Sequence, residues 1–458
     1  MKLKLFLVVC MLSVFTLAAC SSESGSVEGQ NSDIEVVSDI EGTVRVALAG
    51  FQLEDGMDPI TGVENKGMKT FIKEQFTPRY PNIKVELTQV PWENAKAKQT
   101  AMLQSGDVDV LYSGGAFASQ WNQKGLLKPL DGLIENDDSF DSSLYLEGLW
   151  KGSYSTKSFD KTVHFGIPAV LGRRVTIYDQ EIFDQWGVEP LSENPSPQEV
   201  LEKAKQMTGE NPETGKQNYG LWFDGKSLNA STFVALTHAF GAPGAEGSLD
   251  DLANIKWKLN SPEMVKVLEW IEEAAQLPPS GFVNAEGAEN FGIEGNDIAI
   301  RLDGSGAATM GEVRATDDDA LIDRFKPVLN LGPDGQGWVA VDPYVMAKDA
   351  QNVEASWEVL KFLTGYEAQK HNYENYTMTP TLADADFVSD QDTFMKVAAD
   401  IASVTKSTLM DEANPFFSSE ITPAINGFIS KASNGNAPEI QPFLDNLQER
   451  AEKWSANQ

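Results

Sequence analysis

Two spacings of apolar residues alternate along the chain. Residues 43–50 (TVRVALAG) form a short run of small and β-branched residues that closes on glycine, the pattern of a strand. Met68, Phe71, Ile72 and Phe76 then fall on one face of a helix, which Pro78 and Pro81 bring to a stop. Residues 83–90 return to a strand pattern, and residues 108–112 (VDVLY) run into Ser113-Gly114-Gly115. Strand, helix, strand, helix, strand is the order of an α/β sheet with crossover helices. The same grammar recurs. Ser196-Pro197-Gln198-Glu199 is a capping box with proline at the first helical position. Ser261-Pro262 opens a helix striped by Met264, Leu268, Ile271 and Ala275. Residues 298–302 and 328–331 read as strands, and Val353, Trp357, Leu360 and Phe362 mark a further helix. The span from residue 42 to 458 is too long for one core, so two domains are expected. No repeat of fixed period is present in the sequence.

The first apolar run is of another kind. Residues 5–19 follow Lys2 and Lys4, close on Leu17-Ala18-Ala19, and are followed by Cys20. This is the layout of a secretory signal, and it is too short to span a bilayer comfortably. The junction resembles the bacterial lipobox, in which the cysteine is acylated and becomes the new N-terminus. The expectation is a signal peptide over 1–19, a lipidated Cys20 and a flexible tether to residue 41; the plain alternative is an ordinary cleaved signal with an incidental cysteine. Residues 21–41 (SSESGSVEGQNSDIEVVSDIE) contain no aromatic and no basic residue, so they cannot bury enough surface to order themselves.

Composition narrows the partners. The chain has two cysteines, Cys10 and Cys20, so neither a disulfide nor a thiolate metal site is expected in the folded body. Its formal net charge is −32, which loss of Lys2 and Lys4 with the leader would carry to −34. Nucleic acid is therefore not an expected partner, since phosphates call for a basic surface. With no second apolar run of membrane length, the lipid on Cys20 is the expected membrane contact.

Catalytic motifs find little footing. Residues 220–227 (GLWFDGKS) match the spacing of a phosphate-binding loop, but such a loop turns its backbone N–H groups onto phosphate. Leu221, Trp222 and Phe223 are bulky there, and Asp224 would repel phosphate, so the expected reading is a strand over 219–223 and a turn. His164, His238 and His371 are far apart and read as structural residues. Asp317-Asp318-Asp319 lacks the ligand spacing of a calcium loop and reads as solvated. No serine-hydrolase elbow occurs. Paired carboxylates remain open among 68 acidic residues, because their pairing is spatial. No cofactor and no metal are expected.

Several segments resemble the bacterial extracellular solute-binding proteins of family 1, the substrate-capturing lipoproteins of carbohydrate ABC importers, to whose structural group maltose-binding protein belongs. They are residues 76–85 (FTPRYPNIKV), 106–110 (GDVDV), 125–131 (GLLKPLD), 165–168 (FGIP) with 175–179 (VTIYD), 298–304 and 355–363 (ASWEVLKFL). Their order follows the family's. The chain departs from the pattern at Val108, where proline is usual, at Asp179, where asparagine is usual, and after Gly304, where many relatives carry a tryptophan and this chain has Ser305 and Gly306. The resemblance implies a two-lobed α/β periplasmic-binding-protein type II fold with a three-segment hinge and an interlobe cleft. The hinge segments are expected near Pro168, Val341 and Thr379. The N-terminal lobe would take 42–167 and 342–378, the C-terminal lobe 168–341 and 379–458.

A sugar offers apolar C–H faces and a rim of hydroxyls, so its site pairs aromatic planes with polar groups at a domain interface, beyond the carboxyl ends of strands. That rule selects Phe51, Gln52, Ser113, Gly114, Phe117, Gly172, Arg173, Asp303, Trp338 and Asp342. Family position adds Trp92, Trp222, Asn229, Ser231 and Phe416. Trp270 and Trp357 lie in helix stripes and read as core, whereas for Trp92, Trp222 and Trp338 core and cleft stay open. Arg173 suits either the carboxylate of an acidic sugar or a neighbouring aspartate. The leading expectation is a monomeric, non-enzymatic receptor for a sugar or oligosaccharide that delivers it to ABC permease subunits; the alternatives are an exported carbohydrate-active enzyme, a receptor for a non-sugar solute, or an adhesive lipoprotein.

Overall fold

In the computed structural model two five-stranded sheets organise the chain, each with a separate hydrophobic core. The model describes residues 36–458 except 58–63, 154, 173, 225–229, 317, 319, 332–340, 405–407 and 411, and describes no side chain at 230, 231, 303, 314, 315 or 404. The leader, Cys20 and the tether up to residue 35 lie outside the described residues.

The first sheet runs in the order Ile83–Val90, Gly42–Ala49, Val110–Tyr112, Val341–Met346, Gly166–Leu171. The first three strands are parallel, and Val341–Met346 runs antiparallel to both its neighbours. Gly42–Ala49 is buried without a break from Val46 to Ala49, as a parallel strand inside a sheet requires. The second sheet runs Phe325–Val328, Arg174–Asp179, Ile298–Ser305, Gln217–Trp222, Gly209–Glu210. Here only Ile298–Ser305 and Gln217–Trp222 pair in parallel.

The helices follow their sequence signals closely. Ser196 Oγ accepts from Glu199 N at 3.1 Å and starts Pro197–Gln206, and Ser261 Oγ accepts from Met264 N at 3.2 Å and starts Pro262–Ala274. The capping box at Ser196 is only half closed: the Glu199 carboxylate accepts from Ser192 and Lys203 instead of reaching back to the cap. The amphipathic stretch from Met68 begins as Met68–Phe71 and widens into a π-helical turn over Ile72–Phe76. One strand is shifted from expectation. Phe325–Val328 ends where 328–331 was expected to begin, because Leu329 N turns to Glu193 O and the Asn330 amide caps Arg174 O at 3.2 Å.

Each core is pinned by a bidentate Arg–Asp pair whose carboxylate is sealed from solvent. Arg45 donates to Asp109 through Nε and Nη2 at 2.9 and 2.8 Å. Arg324 donates to Asp179 through Nε and Nη2 at 2.9 and 2.7 Å. Hydrogen bonds from the backbone of Arg45 and Gln351 add to the Arg45 side chain in holding the Asp109 carboxyl below its ordinary range, against the desolvation that pushes it up.

Between the cores the chain passes three times. It leaves the first sheet at Leu171 and enters the second at Arg174. It returns from Val328 to Val341 across residues outside the description. Finally Thr379 bridges to Leu171, Leu382 still packs in the first core, and Phe394 belongs to the second. Helix Glu147–Gly152 stands apart from this scheme: although it precedes Gly166–Leu171, its Leu149 packs in the second core.

The phosphate-loop spacing comes to nothing at its first glycine. Gly220 sits within Gln217–Trp222, its N–H donates to Thr208 Oγ1 at 3.0 Å, and a Cβ there would fall 1.7 Å from Ala204 O. This glycine serves close helix–strand packing. Gly225, Lys226 and Ser227 lie outside the described residues.

Candidate functional site

A cavity of about 440 Å³ opens between the two cores, within the size range of small-molecule sites. The first core supplies an aromatic wall and a helix N-terminus. Trp92 follows the strand Ile83–Val90 and packs its indole against Gly50, where a φ of +73° turns the chain. A Cβ at Gly50 would fall 2.0 Å from the indole nitrogen, so the absence of a side chain there is what seats the ring. Trp92 is held edge-on against Tyr112 at 6.2 Å and remains 44% exposed. Phe117 faces it from helix Gly115–Gln123, with Lys96 Nζ 5.5 Å above its ring.

The N-terminus of that helix is packed to contact. A Cβ on Gly115 would fall 2.2 Å from both Ser155 Oγ and Val341 O. The Gly115 amide bonds the Asp342 carboxylate, which also accepts from Tyr112 Oη at 3.3 Å. Burial pushes the Asp342 carboxyl up to about 6, against the pull of Tyr112, Gly115 and Arg174, while Glu412 pushes it further up.

The second core supplies charge. Arg174 opens its strand at the cavity, and Glu412 approaches from the turn before Phe416. Burial raises the Glu412 carboxyl, and Arg174 and Lys96 oppose that rise. Burial likewise lowers the Lys96 ammonium, which Glu412 partly offsets. A direct bond joins the halves beside the cavity: Gln120 Nε2 donates to Glu412 O at 2.9 Å.

Of the residues expected from the sequence, Trp92, Gly114, Phe117 and Asp342 come together on this wall. Ser113 lies directly behind it, buried, donating through Oγ to Gln99 at 2.6 Å. Gln52 is spent on its own loop, where its amide donates to Glu54 O. Gly172 sits in the first passage between sheets, and its carbonyl accepts from Arg174 N.

Three aromatics are placed away from the cavity. Phe51 is fully buried in the first core, edge-on to Tyr112 and Tyr376, because the chain turns inward once it passes Gly50. Phe416 is fully buried against Trp257 and Trp454 in the second core. Trp222 is buried there too; its indole N–H donates to Glu286 O at 3.0 Å and Arg301 covers its face at 4.7 Å. Arg173, Asn229 and Trp338 lie outside the described residues, as do the side chains of Ser231 and Asp303. After Gly304, Ser305 Oγ accepts from Ala308 N at the start of helix Gly306–Ala315, so no stacking platform stands at that turn.

Sequence reasoning passed over Gly115, Ala116, Ser155, Arg174, Val341 and Glu412. Arg174 begins a strand, and only the pairing of the sheet brings that end to the cavity. Its strand runs antiparallel to Ile298–Ser305 and pairs Arg174 with Ser305, so its amino end lies where that neighbour's carboxyl end lies. Ser155 and Glu412 come from turns and carry no periodic signal. Of the histidines, His164 Nδ1 pairs with Asp131 at 2.9 Å and stacks on Trp150, and His371 stacks on Phe71 at 4.3 Å. No group of three metal-ligating side chains exists among the described residues.

Comparison with known proteins gives this arrangement a context. Residues 61–370 match the model of the bacterial extracellular solute-binding protein family. A search among curated proteins found no match. Among solved structures, the chain is similar to an ABC substrate-binding protein from Listeria monocytogenes in complex with cycloalternan, at 19% identity, TM-score 0.64, covering 90% of this chain and 99% of that one. It is similar to an ABC transporter solute-binding protein from Agrobacterium radiobacter in complex with ribitol, at 18% identity, TM-score 0.67, covering 92% and 100%. It is also similar to maltose-bound MalE3 of T. maritima, at 15% identity, TM-score 0.64, covering 90% and 99%. These likenesses establish the two-lobed periplasmic-binding-protein fold.

Proposed function

The chain belongs to the bacterial extracellular solute-binding proteins, and from that premise we propose that its interlobe cavity captures a sugar or short oligosaccharide for the permease of an ABC importer. The observation that carries this reading is the division of the cavity wall. One core offers the Trp92 and Phe117 rings for the apolar faces of a pyranose, and the other offers Arg174 and Glu412, with Asp342 between, for its hydroxyl rim. Relatives of this fold bound to cycloalternan, ribitol and maltose support the ligand class.

In this reading the lobes are 42–167 with 342–378 and 168–341 with 379–458, and they close about the three passages between the sheets. The Gln120–Glu412 bond then belongs to the closed form. Closure reports occupancy, because the ligand binds the closed state better. The protein would work as a monomer outside the cytoplasm, held to the membrane by the lipid on Cys20 after removal of 1–19, with the acidic tether as spacer. It makes and breaks no bond in its ligand.

Titration calorimetry against a panel of mono- and oligosaccharides tests the reading. Binding of at least one sugar that is weakened about thirtyfold in Trp92→Ala supports it. Failure of every sugar while a peptide, polyamine or phosphodiester binds overturns the ligand class. One observation favours a second reading, an exported carbohydrate-active enzyme: Asp342 and Glu412 share the cavity and both carboxyls are raised, as a proton-donating acid must be. Turnover of a bound glycan that disappears in Glu412→Gln would establish it, and an unchanged glycan after long incubation would remove it.

A further inference from the structure

We propose that the ligand cavity continues into a second, apolar compartment on the second core, and that the solute is a glycoside whose hydrophobic aglycone fills it. This deepens the sugar-binding reading above and rests on it. The second compartment has a volume of about 450 Å³. Two chain segments wall both spaces. Ser155 lines the interlobe cavity and Phe159 the second, while Glu412 lines the first and Thr408 and Leu409 the second. No more than four residues of backbone separate the two in either segment.

The chemistry of the two spaces differs. The interlobe cavity carries Arg174, Asp342 and Glu412. The second presents Phe159, Pro243, Ala245 and Leu409 beside Thr237, His238 and Thr408, and Glu246, the one acidic residue among its described lining, is paired with Lys258. The free space is built in by backbone: Gly241 and Gly247 line it at φ of +66° and +136°, conformations that side chains rarely adopt. Thr237 Oγ1 already donates to Val234 O at 2.8 Å and Glu246 is paired with Lys258, so a second sugar ring would have to compete for these groups, at the cost of unpaired polar groups. An aryl or short alkyl group needs none and gains by leaving water. A head of hydroxyls in the charged cavity and an apolar tail behind it fit both spaces at once.

The direct probe is 4-fluorobenzyl alcohol, followed by ¹⁹F NMR line width with the full chain. The resonance should broaden with the wild type and with Trp92→Ala, which alters only the interlobe wall. It should sharpen to the free line with Thr408→Trp, which fills the compartment. Phe159→Ser, which removes its aromatic wall, should weaken binding and takes over as the deciding variant if thermal melting shows Thr408→Trp to be unfolded. Absence of broadening in the wild type, or broadening unchanged in the deciding variant, overturns the compartment. Calorimetry with matched methyl and phenyl glucosides and maltosides then reads the linkage. The phenyl member should bind about tenfold tighter or more, a gain that Thr408→Trp abolishes. Equal affinity within every pair that binds overturns the aglycone assignment. Failure of all plain sugars with retained binding of the fluorinated alcohol would instead strike the sugar reading and leave the compartment standing.

Discussion

In the first sheet the strand Gly42–Ala49 carries Arg45, which grips Asp109 at the approach to the neighbouring central strand; in the second sheet Asp179 at the end of Arg174–Asp179 is gripped by Arg324. Both carboxylates are sealed, both guanidiniums bind through Nε and Nη2, and both pairs tie two segments far apart in sequence. The halves differ where they meet. The first shows the cavity two rings and a glycine helix start whose position is fixed by contact with Ser155 and Val341. The second shows it charge, from the first residue of a strand and from a turn. Similar anchoring with dissimilar facing surfaces teaches that the frame and the recognition surface are separable: the pairs hold each half together, and the cavity chemistry comes from residues the frame does not use.

The comparison breaks most severely at the anchors. Arg45→Met and Arg324→Met each leave a sealed carboxylate without its partner and should cost about 3–5 kcal/mol in urea unfolding. Equal losses would confirm that the pairs are counterparts; a loss confined to one would show that the halves are anchored differently. Next comes Gly115→Ala, whose Cβ meets a side-chain oxygen that can move and a backbone carbonyl that cannot. It should cost about 3 kcal/mol in the same assay, and Ser155→Ala added to it should recover only part. Trp92→Ala should leave unfolding nearly unchanged, since the ring is half exposed, and weaken sugar binding by about 2 kcal/mol in calorimetry.

The remaining effect depends on pH and tests the boundary between the halves. Asp342 titrates near 6 in the folded chain and near an ordinary carboxyl value of about 4 when unfolded. The folded state therefore holds the extra proton between those values, and ionisation above pH 6 weighs against folding. Asp342→Asn should be more stable than the wild type by about 2–3 kcal/mol at pH 8, the free-energy equivalent of that gap. That advantage should shrink as pH falls through 6 and vanish below about 4. A constant difference across the range would show that the carboxyl does not titrate as buried.

Much of the fold was legible in the chain because its signals are local. The Ser196 and Ser261 caps, the stripe from Met264 to Ala275 and the strand from residue 43 each depend on neighbours a few positions away, and each formed as read except that the capping box at Ser196 closed only on its serine side. The site was only partly legible. The strand-end rule found Gly114, Phe117 and Asp342, because it concerns where a loop begins. It also selected Phe51, since the rule does not state which way a side chain turns after the loop starts, and here the chain enters the core one residue past Gly50. Trp222 and Phe416 came from family position, which carries no information about whether a ring faces a cavity or a helix behind it. Ser155 and Glu412 reach the cavity by tertiary placement of turns, which no period in the sequence encodes.

The seat of Trp92 on Gly50 has an optical consequence. Of the chain's ten tryptophans, Trp92 is the one exposed indole among the described residues, and it lines the ligand cavity. A collisional quencher such as acrylamide should reach this indole first in the empty protein. A guest stacked on the ring would shield it, so the loss of quenchable emission counts filled molecules without any label.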